Sequence, residues 1–448
     1  MRWLQLCLLL VLLPLAACSL NGKTTTYSLE PRGVYTLGGG DTIRVKVYGD
    51  DTVTGTAGDD YIDVSQGGND TVDALDGADR LYYGAALTAA DSNDGGAGLR
   101  DALILQGNYA LTLGATSLVG IEYLSLQSGS ITRWGDTAGN TYTYDITTVE
   151  ANVTAGQRLV VNGQSLEAGE TFTFDGSAET DGGTFLLYGG RATDTFTGGS
   201  GDDIFYFEEP RWNLTDTIDG GDGTDALVIS MGDGVNHIEF GETQFTNIEA
   251  LSVNNRFASD PVQMPSYELV LKNGNVALDE TLIVNGSSLE ATQTLNVDGS
   301  QVVDGLLRLY GGADDDVFVG GAKADLIYAA GGSDTSTGGT GADTFQYRDA
   351  ADSAVADADQ ILDFEIGTDR IDLSFIDPDP GAGGDQSFAF VGAAAFTPGN
   401  LGEVRAEFDG GAGVWRIEGD TNGDATADFL ILVTATTADP ITAADFVL

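Results

Sequence analysis

The chain has 448 residues, with 69 acidic against 19 basic side chains, a formal net charge of -50 and a pI near 4.1. Nucleic acid and anionic membrane are poor partners, because both are polyanions. Solvated acidic disorder fits badly, since 42% of residues are hydrophobic and 9% aromatic. A folded chain that gathers cations remains.

The N-terminus reads MRWLQLCLLLVLLPLAACS, with Arg2 ahead of an apolar run from Leu4 to Leu15 and small residues after it. That layout is a signal segment, residues 1–17, too short to span a bilayer. The tetrad Leu15-Ala16-Ala17-Cys18 resembles the lipobox of bacterial lipoproteins, which implies cleavage before Cys18 and lipid on its sulfur. The only other cysteine is Cys7, so the body has no disulfide framework.

The first nonapeptide block lies within residues 43–104. Its core VYGDDTVTGTAGDDYIDVSQGGNDTVDALDGADRLYYG runs from Val47 to Gly84. A strand-rich module follows over 105–187, a second block over 188–230, a second module over 231–308 and a third block over 309–347. Each block is entered by an alternating apolar strand ending in Tyr-Gly: IRVKVYG, TFLLYGG and LRLYGG. The modules are duplicates. VNGQSLEAGETFTFDGS from Val161 matches VNGSSLEATQTLNVDGS from Val284, and GIEYLSL from Gly120 echoes NIEALSV from Asn247. Glu122 and Glu249 match across the copies. From Arg348 the beat stops, and residues 348–448 form a different C-terminal region.

The window Gly338-Gly339-Thr340-Gly341-Ala342-Asp343-Thr344-Phe345-Gln346 shows why the beat is nine. Glycines at the first, second and fourth places allow positive φ, Asp343 closes the turn, and three residues make a minimal strand with Phe345 pointing inward. Two nonapeptides complete one coil of a flattened parallel spiral, so turns two repeats apart stack on one edge, about 4.8 Å per rung. The expected pairs are Asp51 with Asp70, Asp60 with Asp79, Asp316 with Asp334 and Asp325 with Asp343. Inward residues are Val53, Ile62, Val72, Leu81, Phe196, Phe205, Phe318, Ile327 and Phe345. Stacked carboxylates and carbonyls make an oxygen cage suited to Ca²⁺. The candidate ligands are Asp51, Asp60, Asp70, Asp79, Asp194, Asp203, Asp225, Asp316, Asp325, Asp334 and Asp343. Gly189, Gly198, Gly311, Gly320 and Gly338 join them through the backbone. Departures fall at Ala192, Asp314 and Lys323 in the fourth place and at Ser336 in an apolar place. Trp212 stands where an aspartate two repeats after Asp194 belongs, and Lys323 puts a cation beside Asp325.

These windows resemble the glycine-rich repeats of the RTX (haemolysin-type calcium-binding) family, whose G-G-x-G-x-D-x-U-x pattern marks a Ca²⁺-binding parallel β-roll. The stretches DQILDFEIGTDRIDLSFID, GEVRAEF, DTNGDATADFLILV and the terminal DFVL resemble the C-terminal domain of serralysin-type proteins. That resemblance implies a β-rich cap and a type I secretion signal. Within it Asp420, Asn422, Asp424 and Asp428 have the spacing of a calcium loop. The fold class is therefore all-β: β-roll blocks alternating with duplicated strand modules, capped by a β-rich domain.

Catalytic chemistry finds little footing. One histidine, His237, excludes an HExxH zinc site, and no G-x-S-x-G elbow precedes a helix. The expected function is a non-catalytic calcium-binding protein, extracellular or at the outer-membrane surface. It would have a structural or adhesive role toward matrix or surface ligands, with no nucleic acid partner. The rival is a secreted enzyme acting on polysaccharide from a site in the modules.

Overall fold

The computed structural model describes residues 49–254, 264–379, 383–384, 386–437 and 439–448, and the backbone of strands Ser19–Asn21, Tyr27–Ser28, Val34–Gly38 and Arg44–Lys46. The expected signal segment and Cys18 lie outside the described residues. Strands dominate, and the only helices among the described residues are four short 3-10 turns. The chain divides into two compact units, residues 1–225 and 226–448.

In the first unit, consecutive strands fall on alternate sheets, and every pairing is parallel. Thr52–Thr54, Thr71–Asp73 and Ser92–Asp94 make one ladder, with Val53 opposite Val72 and Val72 opposite Asn93. Tyr61–Asp63, Arg80–Gly84, Ala102–Leu105, Tyr123–Leu126, Arg158–Asn162, Thr184–Tyr188 and Ile204–Glu208 make another. The module strands thus continue the sheet begun by the nonapeptides. A third ladder runs through Tyr109–Thr112, Tyr144–Thr147, Phe172–Asp175, Asp194–Thr197 and Thr217–Asp219.

The second unit repeats the plan. One ladder runs from Ala226–Ser230 through Ala250–Val253, Thr281–Asn285, Leu306–Tyr310, Leu326–Tyr328, Thr344–Gln346 and Arg370–Asp372 to Phe446–Val447. The other holds Gly234–Glu239, Pro265–Val270, Leu295–Asp298, Val317–Val319, Thr335–Thr337 and Asp359–Phe364. Phe429–Ala435 then adds in parallel, and Val414–Asp420 and Glu403–Asp409 follow antiparallel. The switch to antiparallel pairing marks the cap: these strands extend the sheet beyond the last parallel rung of the spiral.

The sheets are close enough that one side chain per minimal strand fills the space between them. All nine expected inward residues are 0–2% exposed. Each contributes about 1.5–3 kcal/mol on burial. The first unit adds an aromatic column, with Phe172 edge-on to Phe196 at 4.8 Å and Phe196 stacked on Phe207 at 5.8 Å. In the third block the column thins to Phe318, Ile327, Ser336 and Phe345, so the turns there carry more of the burden of order.

Candidate metal centre

Each nonapeptide strand begins just after an aspartate, and in a spiral the rung above offers that aspartate a backbone N–H. The N–H of Asp51 donates to Oδ1 of Asp70 (3.0 Å) and that of Asp60 to Asp79 (2.6 Å). Likewise Asp316 donates to Asp334 (2.7 Å) and Asp325 to Asp343 (2.8 Å). All four expected pairs are therefore adjacent rungs. Asp203 receives the N–H of Phe185 and gives its own to Asp225. These aspartates are 0–2% exposed, an unusual place for carboxylates unless a partner neutralises them.

The turns take two forms. In one, the second-place N–H donates to Oδ2 of its own aspartate: Thr56 to Asp60, Gly190 to Asp194, Gly199 to Asp203, Gly312 to Asp316 and Gly321 to Asp325. In the other, the second and fourth residues are left-handed. Examples are Leu75 and Gly77 before Asp79, Ala330 and Gly332 before Asp334, and Gly339 and Gly341 before Asp343. In two of these left-handed turns Oδ2, of Asp79 and of Asp334, is buried with no hydrogen-bond partner. The turn ahead of Asp316 and that ahead of Asp325 are of the first form, in keeping with Asp314 and Lys323 at the fourth place.

First-place glycine has a different role from the one expected. Gly189, Gly198, Gly311, Gly320 and Gly338 have no positive φ. A Cβ at Gly311 would lie 2.1 Å from the Ala329 carbonyl oxygen and 2.4 Å from Asp316 Oδ2. At Gly320 it would lie 2.3 Å from the Gly338 oxygen and 2.7 Å from Asp325 Oδ2. At Gly198 and Gly338 it would sit 2.3 and 2.5 Å from the turn's own carboxylate, and at Gly189 2.3 Å from the Phe207 ring. These glycines permit close approach of carboxylate and carbonyl oxygen, not an unusual backbone angle.

Burial sets the electrostatics. Desolvation, reinforced by the stacked neighbour's charge, pushes Asp334 up to about 8 and Asp79 to about 7. Desolvation likewise takes Asp194 to about 8, Asp316 and Asp343 to about 7, and Asp70, Asp203 and Asp325 to about 6. Repelling, desolvated carboxylates with unused oxygens beside backbone carbonyls suit a hard divalent cation. Among the described residues neither imidazole nor thiol faces them, so the donor set favours hard over softer metals.

Sequence spacing missed further rungs. Asp70 donates to Asp91 and Asp79 to Asp101, whose N–H in turn goes to Glu122 Oε2. Asp194 donates to Asp216, Asp334 to Asp359 and Asp343 to Asp369. Asp216, not the Trp212 position, completes the rung below Asp194. Trp212 is buried edge-on against Phe207 at 5.0 Å. Intervals of 21–26 residues hid these rungs, but a signal remained. Asp101, Asp216, Asp359 and Asp369 each stand two places before a buried apolar residue: Leu103, Ile218, Ile361 and Ile371.

Lys323 does not neutralise Asp325; its Nζ turns to Asp279 Oδ1 at 3.0 Å, where both groups reach solvent. The loop from Asp420 to Asp428 closes on its own donors. Asp420 accepts the N–H groups of Asn422, Gly423 and Ala425, and Asp428 accepts from Thr421 and Asn422. His237 is a surface residue, with Nδ1 3.2 Å from Glu268 Oε2.

The family model described as peptidase M10 serralysin C terminal matches residues 121–448. The model of the RTX calcium-binding nonapeptide repeat (4 copies) matches residues 47–81 and 64–86. No curated protein matches the chain.

Proposed function

The chain belongs to the peptidase M10 serralysin C-terminal family, and on that premise we propose that it is a non-catalytic, calcium-dependent structural protein of the cell exterior. Its RTX repeats bind Ca²⁺ at several sites, and both matched families are typical of secreted bacterial proteins. The proposed ligands are Asp51, Asp60, Asp70, Asp79, Asp194, Asp203, Asp225, Asp316, Asp325, Asp334 and Asp343, with carbonyls of the first-place glycines. The observation that carries the reading is the stack of buried aspartates, two of which, Asp79 and Asp334, leave Oδ2 without a donor.

Calcium would supply charge neutralisation, and the chain's residues would supply everything else. Oδ1 holds the rung above through its N–H, the glycines admit the carboxylate, and inward Phe and Ile exclude water from the strand side. An extracellular-type site with a dissociation constant of about 10⁻⁴ M contributes about 1.4 kcal/mol at millimolar calcium. About six such sites give on the order of 8 kcal/mol, comparable to an ordinary domain's stability. In the micromolar calcium of a cytosol the same contribution vanishes, so the roll would order only after export.

A structural or adhesive role, with lipid anchoring at Cys18, fits this chemistry better than polysaccharide cleavage. Glu122, the acid shared by both modules, spends its carboxylate on the N–H groups of Arg100 and Asp101. Crystals grown in millimolar calcium chloride test the ligand set. Ions are expected between Asp316 and Asp334 and between Asp325 and Asp343; carboxylates there without metal would overturn it.

A further inference from the structure

A second kind of acidic cluster lies outside the nonapeptide turns. Glu150, Glu179 and Asp181 each bring one carboxylate oxygen within 4.8 Å of the others. Glu150 begins the 3-10 turn Glu150–Asn152, while Glu179 and Asp181 lie between strands Phe172–Asp175 and Thr184–Tyr188. Glu150 and Asp181 are exposed, but Glu179 is only 2% exposed. Its carboxylate accepts the N–H groups of Asp181 (3.0 Å) and Gly183 (3.1 Å) on Oε1. Oε2 is buried without a hydrogen-bond partner. A carboxylate oxygen in that position has lost its water and gained nothing in return.

The duplicated module provides an internal comparison. Asn152 Oδ1 accepts the N–H of Val149 and its amide donates to the Gly114 carbonyl, at 2.9 and 2.8 Å. Asn275 does the same toward Lys272 and Gly241, at 2.8 and 2.9 Å. On this shared frame Glu150 corresponds to Asn273, Glu179 to Val302 and Asp181 to Asp304. Glu150 Oε2 accepts the N–H of Thr180, as Asn273 Oδ1 accepts that of Val303. The other arm differs. Asn273 Nδ2 donates to Asp304 Oδ2 at 2.7 Å, and Val302 is a fully buried apolar residue.

In the second copy, then, an amide N–H satisfies the aspartate and no acid is buried behind it. In the first copy an acceptor faces an acceptor, with a third carboxylate beneath. Like charges at this spacing are relieved by a shared proton or by a cation between them, and a cation satisfies all three groups at once. All donors are hard oxygens, two of the three groups reach solvent, and water can complete a coordination shell of six to eight.

We propose that Glu150, Glu179 and Asp181 form a Ca²⁺-class divalent cation site, present only in the first copy of the module and built from carboxylates other than those of the nonapeptide turns. The ion ties the 3-10 turn to the adjacent coil. Glu179 lies directly on the next turn of the edge, where a Cβ at Gly199 would meet Glu179 Cβ at 2.8 Å.

Crystals of the intact chain soaked in Mn²⁺ give the test, through anomalous difference maps. The wild type should show a peak among the three carboxylates. Glu150→Asn, which installs the second copy's residue at an exposed position, should lose that peak while keeping the nonapeptide ions. Asp181→Asn serves as the second variant, and free-Mn²⁺ counting by electron paramagnetic resonance should find one ion fewer per chain for each. No wild-type peak, or an undiminished peak and count in both variants, would overturn the site whether or not the nonapeptide turns bind.

Discussion

Replacing Asp334 by Asn separates what the carboxylate does for the backbone from what it does for a metal. The amide oxygen can still accept the Asp316 N–H, now 2.7 Å from Oδ1, so the rung is kept. The charge is lost. Held at about 8 instead of 3.8 by desolvation and by Asp316, the carboxyl costs the chelated fold at most about 5 kcal/mol at pH 8, at about 1.4 kcal/mol per tenfold change. Asp334→Asn should therefore raise stability in chelator. In millimolar calcium the same change also removes an anionic ligand, so the variant's advantage over the wild type should shrink by about 1.4 kcal/mol, the contribution of one site. Urea melts at pH 8, in EGTA and in calcium, measure both. The expected result is a gain in EGTA that is smaller in calcium. A change of equal size in both conditions would show that Asp334 holds no metal and refute the reasoning.

Gly320→Ala places a Cβ 2.3 Å from a backbone oxygen and should cost about 1–3 kcal/mol, whereas Gly331→Ala meets nothing within 4 Å and should change stability by less than about 0.5 kcal/mol; thermal melts in calcium compare them. Asp79, Asp316 and Asp343, held near 7, and Asp334, near 8, keep protons in the chelated fold that the unfolded chain releases near 3.8. Metal-free stability should then be full below about pH 4 and be lost as pH rises through about 7–8. Calorimetry of calcium binding at pH 7 should accordingly show proton release, as heats that vary with buffer. His237→Ala should leave stability within about 0.5 kcal/mol, because the ring is exposed; loss of a measured catalytic activity in that variant would contradict a non-catalytic role.

Where two nonapeptides follow without insertion, as from Asp316 to Asp343, sequence spacing alone assigns the edge, the partner and the inward residue. Each of these depends on local geometry that a nine-residue turn and strand dictate. The continuation of the spiral through the modules was harder to read. Turns of eleven or more residues break the beat, though Leu103, Leu124, Val161 and Leu187 still point inward. Asp91, Asp101, Asp216, Asp359 and Asp369 were hidden by the same lengthened turns. The role of first-place glycine was also hidden, since close approach between rungs is a contact across the spiral and not a property of its own φ. The Glu150 cluster joins residues about thirty apart and emerges only when two turns meet in space.

Circular dichroism during a calcium titration, with reversal by EGTA, tests most directly the claim that metal neutralises the aspartate stack and so orders the roll. The β signal and melting temperature should rise together between micromolar and millimolar calcium at pH 8 and fall again on chelation. An unchanged signal and an unchanged melting temperature from chelator to millimolar calcium would contradict it.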